Sequence, residues 1–303
     1  MQNRQNTFSG ALLATLGGIG WGVSGAVGQY LFTAEHMDSR WLVPVRLGLA
    51  GIILLSWCFL RDAKMTLKPW KTRRDRIDLL IYGLAGISLC QFFYFRTIQL
   101  SSAAVGTILQ SLSPILILIA SSLLYHRMPH RLEILAVIPA LLGVFLLSTH
   151  GDIRHLAIPG AALVTGILSA VCVMIYNVFP RRLLQTCPVL VLQGWAFLLG
   201  SVFFTFLFRS WQYPVVLNSR SMLGIAAVVL IGNLLAFPCY MEGVKRIGPS
   251  RAILYGFSEP VSAALLTVFW FHQPFGLFDF LGFALIFLAI VLISLPHREE
   301  PQA

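Results

Sequence analysis

Two side chains could carry charge where charge is least tolerated. Glu259 sits in the apolar stretch YGFSEPVSAALL (residues 255–266), directly before Pro260, and Arg46 sits in WLVPVRLGLAGIILL (41–55). An ionised group at the centre of an apolar helix costs roughly 2.5–3.5 kcal/mol or more, so such a residue faces the interior of a bundle, pairs, or holds a proton. Two chemistries fit Glu259. It is a proton or cation site whose charge state changes, or it is permanently paired with a buried arginine and locks helices together. Arg46 is the obvious partner. Arg96 and Glu242 lie near the ends of their apolar stretches, where long side chains reach the interface, and Glu242 has Lys245 and Arg246 one turn on.

Other polar residues recur at helical spacing around these two. Tyr255, Ser258, Glu259 and Ser262 form one stripe, and Thr107, Gln110, Ser111 and Pro114 another, with Ser113 beside it. Gln91 pairs with Tyr94, Asn233 with Tyr240, and Tyr176 with Cys172 and Ser169. Trp21 lies well inside its stretch, GALLATLGGIGWGVSGAVGQ (10–29), away from the interfaces where tryptophan usually anchors; its N–H needs a partner from a cavity wall or a substrate. Gly18, Gly22 and Gly25 in the same stretch are spaced for close helix packing. Together these faces suggest a hydrated pocket whose candidate lining is Trp21, Arg46, Gln91, Tyr94, Gln110, Ser113 and Pro114 from one half of the chain. The other half contributes Tyr176, Asn233, Tyr240, Tyr255, Ser258, Glu259 and Pro260. Isolated serines and asparagines also serve as simple interhelical hydrogen bonds, worth about 0.6–2 kcal/mol each.

Catalytic patterns are missing. HExxH and GxGD do not occur, and the aspartates are confined to positions 38, 62, 75, 78, 152 and 279, in loops or at stretch ends. The five cysteines (58, 90, 172, 187, 239) show no CxxC pairing, and they read as small packing residues rather than as metal ligands or disulfides. No metal site and no cofactor is expected. A channel usually builds its filter from a ring of subunits, and nothing in this chain asks for one.

The elements that position these residues follow from composition. Of 303 residues, 57% are hydrophobic and 11% charged, against about a quarter charged in soluble domains. Apolar runs long enough to cross about 30 Å of hydrocarbon recur along the chain. The reading is an all-α polytopic membrane protein with ten transmembrane helices, at 8–32, 40–60, 78–99, 103–125, 132–149, 157–179, 188–208, 221–243, 250–271 and 276–295. The net charge of +10 does not point to nucleic acid, because the basic residues lie between apolar runs. The loop RDAKMTLKPWKTRRDR (61–76) holds seven Lys and Arg. With that loop in the cytoplasm, every inner loop obeys the positive-inside rule, both termini are cytoplasmic, and the bilayer is the chain's surroundings.

The chain also repeats. Pro260 follows Pro114 by 146 positions, and the same shift lays Gly86 on Gly232, Tyr94 on Tyr240 and Ser148 on Ser294. It also lays His126 on His272, which tempts a pH-sensor reading, although turn residues without a special role fit as well. GALLAT (10–15) lies over GAALVT (160–165). Each half, 1–150 and 151–303, carries five spans, so the second must enter the membrane upside down. Inverted repeats of this kind are a recurring transporter architecture, with substrate bound near the midplane at interrupted helices. Both prolines fall near the centre of their spans, where each removes a backbone bond and frees a carbonyl that only protein or a water-filled cavity can satisfy.

The chain resembles the EamA-type branch of the drug/metabolite transporter superfamily. The likeness covers essentially its whole length and rests on Trp21-Gly22, Arg46, SSAAVGTILQSLSPILILIASSLL (101–124) and GPSRAILYGFSEPVSAALLTVF (248–269). It implies a ten-helix fold in two inverted EamA-like repeats, with helices 1, 3, 4, 6, 8 and 9 lining the path. It implies a secondary transporter of the bacterial inner membrane, often exporting amino acids, other small metabolites or drug-like compounds by alternating access. A lipid-carrier or amphipath flippase of the same superfamily is the alternative, ahead of an intramembrane enzyme or a channel. The resemblance is compatible with a homodimer and with proton or cation coupling through Glu259. The Gly-Glu pair that usually follows spans 4 and 9 is replaced by Tyr125-His126 and Phe271-His272.

Overall fold

The computed structural model describes residues 2–125, 131–150, 157–179, 181–247, 252, 255–273 and 275–294. Among these residues the regular structure is all helical. The principal helices are α1 (Gln2–Thr33), α2 (Ser39–Thr66), α3 (Arg73–Leu100), α4 (Ala103–Gln110 and Ser113–Tyr125) and α5 (Arg131–Thr149). They continue with α6 (Gly160–Val178), α7 (Val189–Phe208), α8 (Ser219–Ala227, Val228–Leu235 and Ala236–Ile247), α9 (Ser258–Phe269) and α10 (Leu277–Ser294). Seven stretches are long and apolar enough to cross a bilayer, and three shorter apolar ones fall in α5, α9 and α10. The chain is a multi-pass membrane protein.

Helix ends fall where the local chemistry directs them. Asp38 and Asn218 cap α2 and α8, each accepting a backbone N–H of the first turn, which satisfies a donor the helix itself cannot. Asp62 leaves helical geometry (φ −157°, ψ 93°), and its carboxylate accepts from Met65 N at 2.9 Å. The apolar part of α2 therefore stops within two residues of the expected end at 60.

Packing runs through four kinds of pair. The helix α2 lies against α7, with Gly51 on Gly194 and Leu198, Gly48 on Ser201, and Ser210 bonded to the Arg40 carbonyl, so the two run antiparallel. The helices α5 and α10 are likewise antiparallel, with Gly143 on Ile286, Gly282 on Leu147, and His150 bonded to Asp279 at 2.8 Å. In the third kind α1 runs antiparallel to α8, and α3 antiparallel to α6 through Gly86–Tyr176 and Thr97–Thr165. In the fourth, α1 packs parallel to α9, and α6 packs on α4.

Two irregularities occur twice. Wide π-type turns occupy Ile81–Ser88 of α3 and Val228–Leu235 of α8. Breaks interrupt α4 at Ser111–Leu112 and the chain leading into α9 at Phe257. The expectation that each proline stands inside its helix and frees a carbonyl there is thereby corrected. Pro114 and Pro260 both stand in the first turn after a break, where a missing N–H costs nothing because no intrahelical acceptor exists there.

Candidate functional site

The pairs described above enclose a cavity of about 350 Å³. Its wall draws on α1, α2, α3 and α4, and on α6, α7, α8 and the segment entering α9. One end is closed by a layer of fully buried side chains, Leu31, Leu42, Leu47, Phe95 and Ile98. Across the same layer Gln29 Oε1 accepts the backbone N–H of Ala103 at 2.7 Å. At the other end Ile117, Val173 and Met241 are partly exposed and Asn177 is exposed. Gln110 and Gly256, the residues just before the two breaks, both line the cavity. Non-helical backbone at membrane depth is tolerated only in such a place.

Arg46 is 2% exposed on the closed side. Its Nη2 donates to Asn233 Oδ1 at 2.6 Å and to Gln91 Oε1 at 3.2 Å, and its Cζ lies 3.9 Å from the centroid of the Phe95 ring. Nε and Nη1 are buried without an acceptor. Glu259 shares the cavity, part-exposed into it. No ion pair joins the two among the described residues, so the reading of Glu259 as the fixed partner of Arg46 is not what this arrangement displays. Two amide oxygens and an aromatic face hold the cation instead; in a desolvated site such a ring contact is worth roughly 2 kcal/mol.

The backbone approach of α1 to α9 fixes Glu259. A Cβ on Gly22 would lie 2.6 Å from the Glu259 carbonyl oxygen, and one on Gly18 would lie 2.9 Å from the Gly256 carbonyl oxygen. Gly25 serves a different neighbour, the Tyr94 hydroxyl of α3. Trp21 comes off the same face of α1 and lines the cavity, with its ring 5.1 Å from that of Tyr240.

Most of the residues singled out from the sequence meet here. Trp21, Arg46, Gln91, Tyr94, Gln110 and Ser113 line the cavity, as do Pro114, Tyr176, Tyr240, Glu259 and Pro260. Three do not. Asn233 is buried behind the wall, bonded to Arg46. The Ser258 hydroxyl donates to the Thr15 carbonyl at 2.9 Å and belongs to the α1–α9 contact. Tyr255 is 42% exposed; the break at Phe257 puts it out of helical register with Glu259, so the expected single stripe does not exist. Residues the sequence reading passed over include Ser24, Cys90 and Gln193. Cys90 accepts from Gln110 Nε2 at 2.9 Å, a polar use that its reading as a packing residue hid. The five cysteines are free thiols, and Glu242 pairs with Arg246 as expected. His126 lies outside the described residues.

The apolar helices surround a partly open chamber with polar, aromatic and apolar walls, an arrangement that suits a membrane transport protein. The chain belongs to the EamA-like transporter family, whose pattern it matches over residues 8–149 and again over 160–295. It is 33% identical over 298 residues to YicL, an uncharacterized inner membrane transporter of Salmonella typhimurium, covering 98% of this chain and 99% of that one. It is 24% identical to YyaM, an uncharacterized transporter of Bacillus subtilis, over 87% of each chain. A solved crystal structure shares the fold at a TM-score of 0.58 and 19% identity, covering 96% of both chains.

Proposed function

We propose that the chain is a secondary transporter that exports a small metabolite, amino acid or drug-like compound by alternating access. It is built from two inverted five-helix repeats, 1–150 and 151–303, with both termini in the cytoplasm. The observation that carries the reading is the cavity, lined from both halves, with a cation and a carboxylate in its wall that form no ion pair with each other. The packing supports the repeat. Exchanging the halves maps α1–α8 onto α6–α3 and α1–α9 onto α6–α4, while α2–α7 and α5–α10 map onto themselves. Counterparts that touch, α2 with α7 and α5 with α10, run antiparallel, as inversion demands. The paired wide turns and paired breaks recur at separations near the sequence shift of 146.

With the basic loops inside, the closed layer of Leu31, Leu42 and Phe95 faces outward and the exposed Asn177 end faces the cytoplasm. Glu259 is the proton or cation site, its charge state changing as the halves rock about the broken helices. Ser113→Cys, in the wall and on the break of α4, tests the cycle. A membrane-impermeant thiol reagent should label it from the cytoplasmic face in this state and from the outer face after the switch. Labelling from one face only, under every condition, would sink alternating access.

A further inference from the structure

A guanidinium has five N–H donors, and Arg46 uses two, both on Nη2. The remaining three, on Nε and Nη1, are buried with no acceptor. The hydroxyl of Tyr94, a residue 6% exposed in the same wall, is set toward the Glu259 carboxylate. Buried donors, and buried charges above all, are strongly disfavoured when left unmatched. The three unmatched donors of Arg46 mark a place shaped for an acceptor that the protein does not supply.

The two amides on Arg46 are not equivalent. Asn233 is 2% exposed and binds at 2.6 Å, a fixed structural bond. Gln91 is part-exposed, lines the cavity and binds at 3.2 Å, so it is the longer bond and the one a ligand can reach. Its Oε1 stands where a ligand oxygen would, and an ionised oxygen there would bind more strongly than a neutral amide. The charge count selects the kind of anion. Among the described residues Arg46 is the single cation of the lining and Glu259 the single carboxylate. A monoanion matches Arg46, whereas a phosphate dianion would leave excess negative charge beside Glu259. Trp21, Phe237 and Tyr240 give the rest of the wall an aromatic surface for an apolar body.

We propose that Arg46 is the anion subsite of the cavity and takes the carboxylate of a small, mainly apolar monocarboxylate, with Gln91 as the group the carboxylate displaces. The inference rests on the cavity being the substrate site. Its test uses the full-length protein in lipid nanodiscs and matched probes, butanoate and 3-phenylpropanoate against their primary amides, with calorimetric binding and thermal stability as readouts. The wild type should prefer acid over amide at least tenfold, and Arg46→Gln should reduce that preference below twofold. Gln91→Glu supplies the carboxylate internally. It should raise the unfolding temperature and weaken the acids at least tenfold more than the amides, which decides the matter even where Arg46→Gln does not fold. A wild type that binds neither probe, or binds acid and amide alike, overturns the proposal. So does a Gln91→Glu protein that binds acids as the wild type does. If Ser113→Cys labels from alternate faces without any acid preference, the substrate class falls and transport stands; acid preference with one-sided labelling is the reverse.

Discussion

Replacing Asn233 by leucine removes the 2.6 Å acceptor of Arg46 while keeping the branching at Cγ. What remains around the guanidinium is the longer bond to Gln91 and the face of Phe95. A hydrogen bond to a charged group contributes roughly 1.5–3 kcal/mol, and the group left behind adds its own desolvation cost. Asn233→Leu should therefore destabilise by about 2–3 kcal/mol. Arg46→Met alone leaves the Asn233 amide buried without its donor, at about 1–3 kcal/mol. The double variant removes both ends, and replacing a buried polar pair by packed apolar groups is often close to neutral. A double-mutant cycle should thus return a coupling of about 3–6 kcal/mol, the two single losses less a double loss near zero, above the ~0.6 kcal/mol average for hydrogen bonds between membrane helices. Equilibrium unfolding in mixed micelles, followed by tryptophan fluorescence, measures all four corners. Single and double effects that simply add would refute the reasoning, because Arg46 would then owe its compensation to something other than Asn233.

Three further outcomes are expected. Glu259→Gln should abolish the dependence of export on the pH gradient, measured on a compound identified by an efflux and toxicity screen with the overproduced protein; retained dependence would end the coupling role. Gly22→Ala forces a methyl to within 2.6 Å of the Glu259 carbonyl oxygen, and overpacking of this kind costs about 1–3 kcal/mol; micelle unfolding should register the loss, and Gly276→Ala, whose Cβ would meet only the Asp279 carboxylate at 3.6 Å, should not. Partial burial pushes the Asp38 carboxyl up, but hydrogen bonds and charge from Arg40 outweigh it and hold the carboxyl below its ordinary value. The stability it contributes is present above the unfolded pKa of about 3.9 and is lost as pH falls through the lower folded value, so Asp38→Asn should destabilise at neutral pH and not in strong acid.

How far the sequence revealed this protein depended on the range of the signal. Helix positions were legible because a bilayer demands a long apolar run for each crossing, and the end expected at 60 meets the break at Asp62. The lining was legible where a polar residue sat alone in an apolar run, as with Trp21, Gln110 and Glu259. It was not legible where regular helical geometry failed. Tyr255 was assigned by 3.6-residue spacing to the face of Glu259, and the break at Phe257 removes the basis for that spacing. Ser258 went the same way, drawn to Thr15 by the close approach that Gly18 permits.

The partner of Arg46 was hidden for a different reason. Charge complementarity within one sequence nominated Glu259, the acid deepest in an apolar stretch, yet the side chain that reaches Arg46 is a neutral amide 187 positions away. A carrier gives a physical reason for keeping the two charges apart. An internal Arg46–Glu259 pair would satisfy both groups in every state and leave neither with anything to gain from a ligand. Held separately, by Asn233 and Phe95 on one side and by the α1–α9 contact on the other, Arg46 keeps unmatched donors and Glu259 keeps a face toward the cavity. In the proposed cycle, binding acts beside the breaks at Ser111–Leu112 and Phe257, so that occupancy and the rocking of the halves bear on the same residues.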